Sequence, residues 1–241
     1  MPWNVLRGHE RVLANLRQTL ARNRLPHAFL FAGPEGIGKH TFARLFAQSL
    51  LCDQGDSTAL NPCDACESCT QVRSGTHPDL ILARKPDDRH DLPIQVIRDF
   101  CHDLGLKPLK GTRKVAILDD ADDLNEEASN AFLKTLEEPP PGSVLILIGS
   151  APELQLDTIV SRCRVIRFEP LSEADLTAVL VERGLVDSAV GAHRYAHQAE
   201  GSVSRALALA EPGLERVRRE LIDELASRHG LSAPALARPA V

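Results

Sequence analysis

A strand-length apolar run, Ala28 to Ala32, passes directly into Gly33-Pro34-Glu35-Gly36-Ile37-Gly38-Lys39 and then into a helical stretch from His40 to Leu51. Strand, glycine loop and helix in that order are what a phosphate-binding loop requires. Glycines let backbone N–H groups turn inward on phosphate oxygens, and the following helix adds its positive end. Gly33, Gly36, Gly38 and Lys39 are therefore candidate nucleotide contacts, with Lys39 reaching the outer phosphates. The next position normally carries a Ser or Thr hydroxyl that ligates Mg²⁺, and here it is His40. Magnesium prefers hard oxygen ligands in tight octahedral geometry, so an imidazole replaces the hydroxyl poorly. Thr41 comes one residue later and points roughly 100° around the helix. A P-loop with weakened ATP and Mg²⁺ chemistry is the expectation.

A second feature lies downstream. Val115-Ala116-Ile117-Leu118 is a continuous apolar run that fits a strand buried on both faces, and it ends in Asp119-Asp120. Behind a P-loop this reads as a Walker B strand, in which the first acid holds magnesium and the next, usually Glu, orients the attacking water. Asp120 is one methylene short for that task, and misplacing a reacting group by about 1 Å costs about 10²-fold in rate. The bland alternative is a solvated acidic turn that continues through Asp122 and Asp123.

Around these motifs, strands alternate with helices. Val12, Leu13, Leu16 and Leu20 form one apolar helical face between about His9 and Arg22. Strands are expected at Asp79–Ala83, Val144–Ile148 and Val165–Phe168, helices at Ile94–Leu104 and Asn125–Glu137, and an exposed loop at Arg84–Asp91. Pro139 to Pro141 stop the second of those helices. After Pro170, Ser172 and Asp175 form a capping box, and helices follow with breaks near Gly184, Gly201 and Pro212. The expected architecture is an α/β parallel sheet flanked by helices over 1–169 and a small α-helical lid over 170–211. One amphipathic helix, Leu214–His229, then precedes an Ala/Pro-rich tail, Ala233–Val241, expected to be disordered.

Cysteines add a further element. Cys52, Cys63, Cys66 and Cys69 crowd into one segment, at about 52–69. The N-terminus shows no export signal, so clustering points to metal binding and to the cytoplasm rather than to disulfides. Four thiolates suit a tetrahedral, structural Zn²⁺ with no open position. An iron–sulfur cluster is the competing reading, though the ferredoxin-like run would want a cysteine soon after Cys69, where Gln71 to Arg73 offer none. Cys101 and Cys163 read as small apolar residues, and His77 as a loop residue rather than a ligand. No window approaches the ~18 apolar residues of a membrane span. The net charge of -5 argues against coating nucleic acid through bulk charge. Lys107, Lys110, Arg113 and Lys114 form a basic stretch that fits a solvated loop at least as well as a DNA contact, and no stacking aromatics accompany it.

The P-loop, the CxxCxxC cluster, Thr76-His77-Pro78-Asp79, Leu133-Lys134-Thr135-Leu136-Glu137-Glu138-Pro139-Pro140 and Ser161-Arg162-Cys163 occur in one order along the chain. In that order they resemble the bacterial clamp-loader subunits of DNA polymerase III, an AAA+ family, from about Trp3 to Leu209. The resemblance implies that Arg162 is an arginine finger inserted into a neighbouring subunit's ATP site, that Ser150 occupies the sensor-1 position and that Arg205 occupies sensor 2. It also implies zinc at the cysteines. Within the family, His40 and Asp120 favour the delta-prime branch over the gamma/tau motor, which remains the alternative. The implied partners are gamma/tau and delta in a pentamer, with the sliding clamp and primed DNA reached through the complex and no membrane involved. Family members normally continue into a helical collar domain, of which only the 212–241 segment has a counterpart here.

Overall fold

The computed structural model describes residues 2–22, 25–86, 88–186 and 188–229; the Ala233–Val241 tail lies outside them. A 3-10 turn, Pro2–Val5, leads into α1 (Glu10–Ala21), β1 (Ala28–Ala32), α2 (Lys39–Leu51) and α3 (Glu67–Ser74). Then come β2 (Leu80–Ala83), α4 (Ile94–Gly105), β3 (Lys114–Leu118), α5 (Glu126–Glu137) and β4 (Ser143–Gly149). A short α6 (Asp157–Val160) precedes β5 (Arg164–Arg167). The five strands make one sheet in the order β2-β3-β4-β1-β5, and every pairing is parallel.

β1, β3 and β4 are buried along their whole length, which is why their sequences are unbroken apolar runs. Alternate side chains enter two separate layers. Phe29 and Phe31 face Phe42 and Phe46 of α2, with ring centroids 5.4 Å apart for Phe29–Phe46 and 5.8 Å for Phe31–Phe42. Ala28, Leu30 and Ala32 face the opposite layer with Ile97 and Phe100 of α4 and Phe132 of α5. Each such large apolar side chain contributes about 1.5–3 kcal/mol on burial.

Parallel strands place like ends together, so the sheet has two distinct edges. At the C-terminal edge Ala32 pairs with Gly149 and Leu118 with Leu147, which gathers the P-loop, Asp119-Asp120 and Ser150. At the N-terminal edge Arg164 pairs with Phe29 and Lys114 with Ser143. Lys114 is therefore not part of a solvated loop. It is the buried first residue of β3, its N–H donates to Gly142 O at 3.1 Å, and its ammonium donates to Asp103 O at 2.6 Å. Lys107 and Lys110 remain exposed.

The chain divides into two compact units at Pro170/Leu171. The second holds α7 (Glu173–Glu182), α8 (Ala189–Gln198), α9 (Val203–Ala210) and α10 (Pro212–His229). Ser172 caps α7 by accepting from Asp175 N at 3.1 Å and donating to the Asp175 carboxylate at 2.6 Å. Leu176, Leu180, Ala192, Ala196 and Ala206 form its core. Along α10, Leu214, Val217, Leu221 and Leu225 recur at helical spacing on an exposed face.

Candidate functional site

β1 delivers its backbone to Gly33, where the chain runs so close to Phe168 that a Cβ would sit 2.4 Å from the Phe168 carbonyl oxygen. Gly38 takes φ +99 as the residue that opens α2. That left-handed backbone suits glycine and turns successive N–H groups toward one concavity. Lys39 is buried in this loop and donates to Gly33 O at 2.5 Å and Pro34 O at 2.6 Å. Burial lowers its pKa, against the opposing pull of Asp119, Asp122 and Glu35.

Asp119 and Asp120 follow β3 as their sequence spacing implies. Asp119 N–H donates to Ala83 O at 2.8 Å. Asp120 adopts a left-handed backbone at φ +54 and accepts from Lys85 N–H at 3.3 Å. Burial and then the neighbouring Asp119 raise its pKa. His40 is the exposed second residue of α2; desolvation of the ring lowers its pKa, opposed by Asp119 and Asp120 and reinforced by Arg44 and Arg84. The structure thus brings Lys39, His40 and both acids into one electrostatic neighbourhood. Thr41 lies one step further round α2 and is half-buried.

Two groups that organise this edge carry no local sequence signal. Asp122 accepts from Ser150 N–H at 2.5 Å and from the Gln155 side-chain amide at 2.8 Å, which pins the end of β4 beside the acids. Asp123 pairs with Lys85 at 2.5 Å. The acidic run is therefore a set of anchored groups, not a solvated turn. The Ser150 position is held through its backbone, leaving its side chain exposed. His9, buried beside Phe168, places its Nε2 2.6 Å from Ile37 O inside the P-loop.

Arg162 occupies the other edge. It closes the turn after α6, two residues before β5 begins opposite Phe29, whereas the P-loop begins only after Ala32. Roughly 3.3 Å of rise per residue separates the two ends of such a strand, so the length of β1 stands between Arg162 and Gly33. The guanidinium is one-third exposed and donates to Glu137 at 2.7 Å and Thr158 O at 2.8 Å. Arg205, in the second unit, pairs with Glu200 at 2.5 Å.

The four cysteines converge at the far end of α2, where Cys52 follows the last helical residue. Their sulfurs all lie within 4.8 Å of one another, at 3.8 Å for Cys52–Cys66 and 4.0 Å for Cys63–Cys69. A tetrahedral ion with metal–sulfur bonds of about 2.3 Å would separate its ligands by about 3.8 Å, so one ion fits this set. A cubane cluster, with an iron behind each thiolate, would hold them farther apart. Backbone N–H groups of Gly55 and Cys66 donate to Cys52 and Cys63 at 3.1 and 3.3 Å. Hydrogen bonds from Ala65 and Cys66 lower the Cys63 thiol to about 6, while burial pushes Cys69 up to about 12. His77 supports the module from outside: Nε2 lies 3.2 Å from Ser68 Oγ, and Nδ1 accepts from Asp79 N–H at 3.0 Å. Cys101 and Cys163 are half-buried against the sheet's second apolar layer.

Residues 8–172 match the family described as DNA polymerase III, delta subunit. Among curated relatives, the chain is 37% identical to the DNA polymerase III subunit delta' of Bacillus subtilis over 175 residues, covering 72% of this chain and 51% of that one. It is likewise 37% identical to the delta' subunit of Pseudomonas aeruginosa, covering 67% of this chain and 48% of that one. With the tau/gamma subunit of Haemophilus influenzae it shares 31% identity, over 91% of this chain and 32% of the relative. The chain thus spans about half, or less, of the length of these relatives. Among solved structures it is similar to the Thermotoga maritima RuvB Holliday junction branch migration motor, with a TM-score of 0.52 at 15% identity over 95% of this chain and 63% of the other. That likeness is one of fold alone, the P-loop AAA+ fold.

Proposed function

The chain belongs to the delta-prime family of DNA polymerase III clamp-loader subunits, and we propose that it works by presenting Arg162 to ATP held by a neighbouring subunit. The observation that carries this reading is the position of Arg162 at the N-terminal edge of the sheet, away from the chain's own P-loop. An arginine so placed cannot neutralise charge on a phosphate bound at Lys39. It can do so for a nucleotide held at the P-loop edge of an adjacent subunit. In better-studied NTPases such an arginine contributes roughly 10³–10⁵ in rate.

The neighbour is a gamma/tau subunit, in a pentamer with delta, and the assembly loads the sliding clamp onto primed DNA in the cytoplasm. The chain's own site, built from Gly33, Gly36, Gly38, Lys39, His40, Thr41 and Asp119, takes ATP and Mg²⁺ weakly. Ser150 stands at the sensor-1 position beside it, and Arg205 of the 170–211 lid is the residue that the family resemblance assigns to sensor 2. Asp120 is a short substitute for the water-orienting glutamate. The metal at Cys52, Cys63, Cys66 and Cys69 is zinc, structural because four protein thiolates leave no position for substrate. Among the described residues no helix is long and apolar enough to cross a membrane.

A gamma/tau-type motor is the second reading, favoured by the 31% identity to tau/gamma over 91% of the chain. The two separate in a loader reconstituted with gamma/tau, delta, clamp and primed DNA. Arg162→Ala in this chain should lower ATP turnover while gel filtration shows the complex intact. Unchanged turnover, combined with loss on Lys39→Ala, would favour the motor.

A further inference from the structure

We infer that Trp3 and His9 are positioning residues for the phosphate-binding loop, and that the metal at the four cysteines holds Trp3 in place. The inference rests on the metal reading of the cysteine cluster and on nothing about ATP or partners.

A continuous path of contacts links the two sites. Cys52 ends α2 and Cys63 lies eleven residues on, so one ion bound by both closes the loop between them. Inside that loop, Asn61 N–H donates to Asp56 O at 3.0 Å. Leu60 beside it is fully buried in the core layer that contains Ile37 and Phe42. It does so with φ +50, a left-handed backbone that a bulky residue keeps only where its surroundings enforce it. Two groups from the N-terminal segment seize the loop there. The Trp3 indole N–H donates to Leu60 O at 2.6 Å, and Arg17 donates to Ala59 O at 2.8 Å. Gln48 of α2 donates to Asp64 at 3.0 Å on the cysteine side.

Trp3 carries the restraint onward. Its ring lies 5.0 Å from Phe42, Phe42 lies 5.1 Å from Phe168, and Phe168 lies 5.0 Å from His9. Leu6 N–H bonds back to Trp3 O at 3.0 Å, so the short segment from Trp3 to His9 is a single tethered unit. His9 then grips Ile37 O at 2.6 Å. A peptide group is planar and trans, so fixing the Ile37 carbonyl toward His9 aims the Gly38 N–H the opposite way. An N–H of the glycine loop turned away from the protein in this way is the kind of donor with which such a loop meets an anion. Lys39 holds the start of the loop through Gly33 O and Pro34 O, and His9 holds its end through Ile37 O.

The test uses the 241-residue chain with no nucleotide and no partner, so it stands apart from the loader assay. Zinc is counted by a chromogenic chelator, Trp3 (the sole tryptophan) is read by fluorescence, and amide exchange is read by mass spectrometry. One zinc per chain is expected. Its removal should shift Trp3 emission to the red and speed exchange across residues 33–39 by about tenfold or more, as local opening does. Trp3→Phe keeps a ring against Phe42 but lacks the N–H donor. It should speed the same amides while zinc stays bound and melting stays cooperative. His9→Phe should affect residues 37–39 alone. The inference is overturned if zinc is substoichiometric, if chelation speeds exchange only across residues 52–75, or if Trp3→Phe leaves residues 33–39 as slow as in the parent.

Discussion

At the C-terminal edge of the sheet, Asp122 holds the turn after β4 by accepting from Ser150 N–H and Gln155. At the N-terminal edge, Asp79 holds the loop before β3 by accepting from the N–H groups of Leu109, Lys110 and Gly111 at 2.6, 2.8 and 3.3 Å. Both edges are thus stiffened by one carboxylate reading several donors. They differ in the chemistry that this stiffness supports. The P-loop edge has its cradle and lysine in place but carries His40 and Asp120 where magnesium and water would be handled. The opposite edge carries Arg162 at the surface, held by Glu137 and Thr158. Under the proposed function, the first edge is rigid scaffolding whose own hydrolysis is weak, and the second holds a partly exposed arginine for a neighbour's ATP.

The comparison breaks most sharply if hydrolysis can be restored to the P-loop edge. His40→Ser with Asp120→Glu returns an oxygen ligand and a full-length acid. It should raise the Lys39-dependent part of ATP turnover by about 10²-fold, measured as the difference made by adding Lys39→Ala. Next in size is the stiffness of that edge. A Cβ at Gly149 would fall 2.5 Å from Asp122 Oδ1, so Gly149→Ala must displace the carboxylate and should cost about 1–3 kcal/mol in denaturant unfolding.

Asp79→Asn probes the other edge and should cost about 1–3 kcal/mol, since one accepting oxygen becomes an NH2 donor that faces at least one of the three N–H groups. Burial pulls the Asp79 pKa up, yet the three N–H donors leave it below the usual 3.8. A depressed carboxylate adds stability above its unfolded pKa and loses it as pH falls through the folded value. The gap between parent and Asp79→Asn should therefore be constant above about pH 4 and close below it. The smallest effect belongs to Glu137→Gln. Its ion pair with Arg162 is one-third to one-half exposed, so stability should change by about 0–1 kcal/mol, with no detectable shift in melting.

How much of this was legible in the sequence follows from the range of the interactions. β1, β3 and β4 were readable because burial on both faces leaves unbroken apolar runs. The P-loop and the cysteine cluster were readable because their functional atoms are close in sequence. Lys114 was misread because its burial depends on strand register and on a carbonyl of α4, neither of which a charged residue type announces. His9–Ile37, Asp122–Ser150 and Asp79–Leu109 join residues 28, 28 and 30 positions apart, beyond any local window. The family resemblance pointed to Arg162, but its separation from the P-loop became visible only with the strand order and direction.

The most direct test of the account sets Arg162→Ala against Lys39→Ala in the same reconstituted loader, with clamp and primed DNA and with assembly verified. The account predicts that losing Arg162 lowers steady-state ATP turnover about tenfold or more, whereas losing Lys39 changes it less than about twofold. A large loss on Lys39→Ala with Arg162→Ala unchanged would contradict it and place the working site at the P-loop edge.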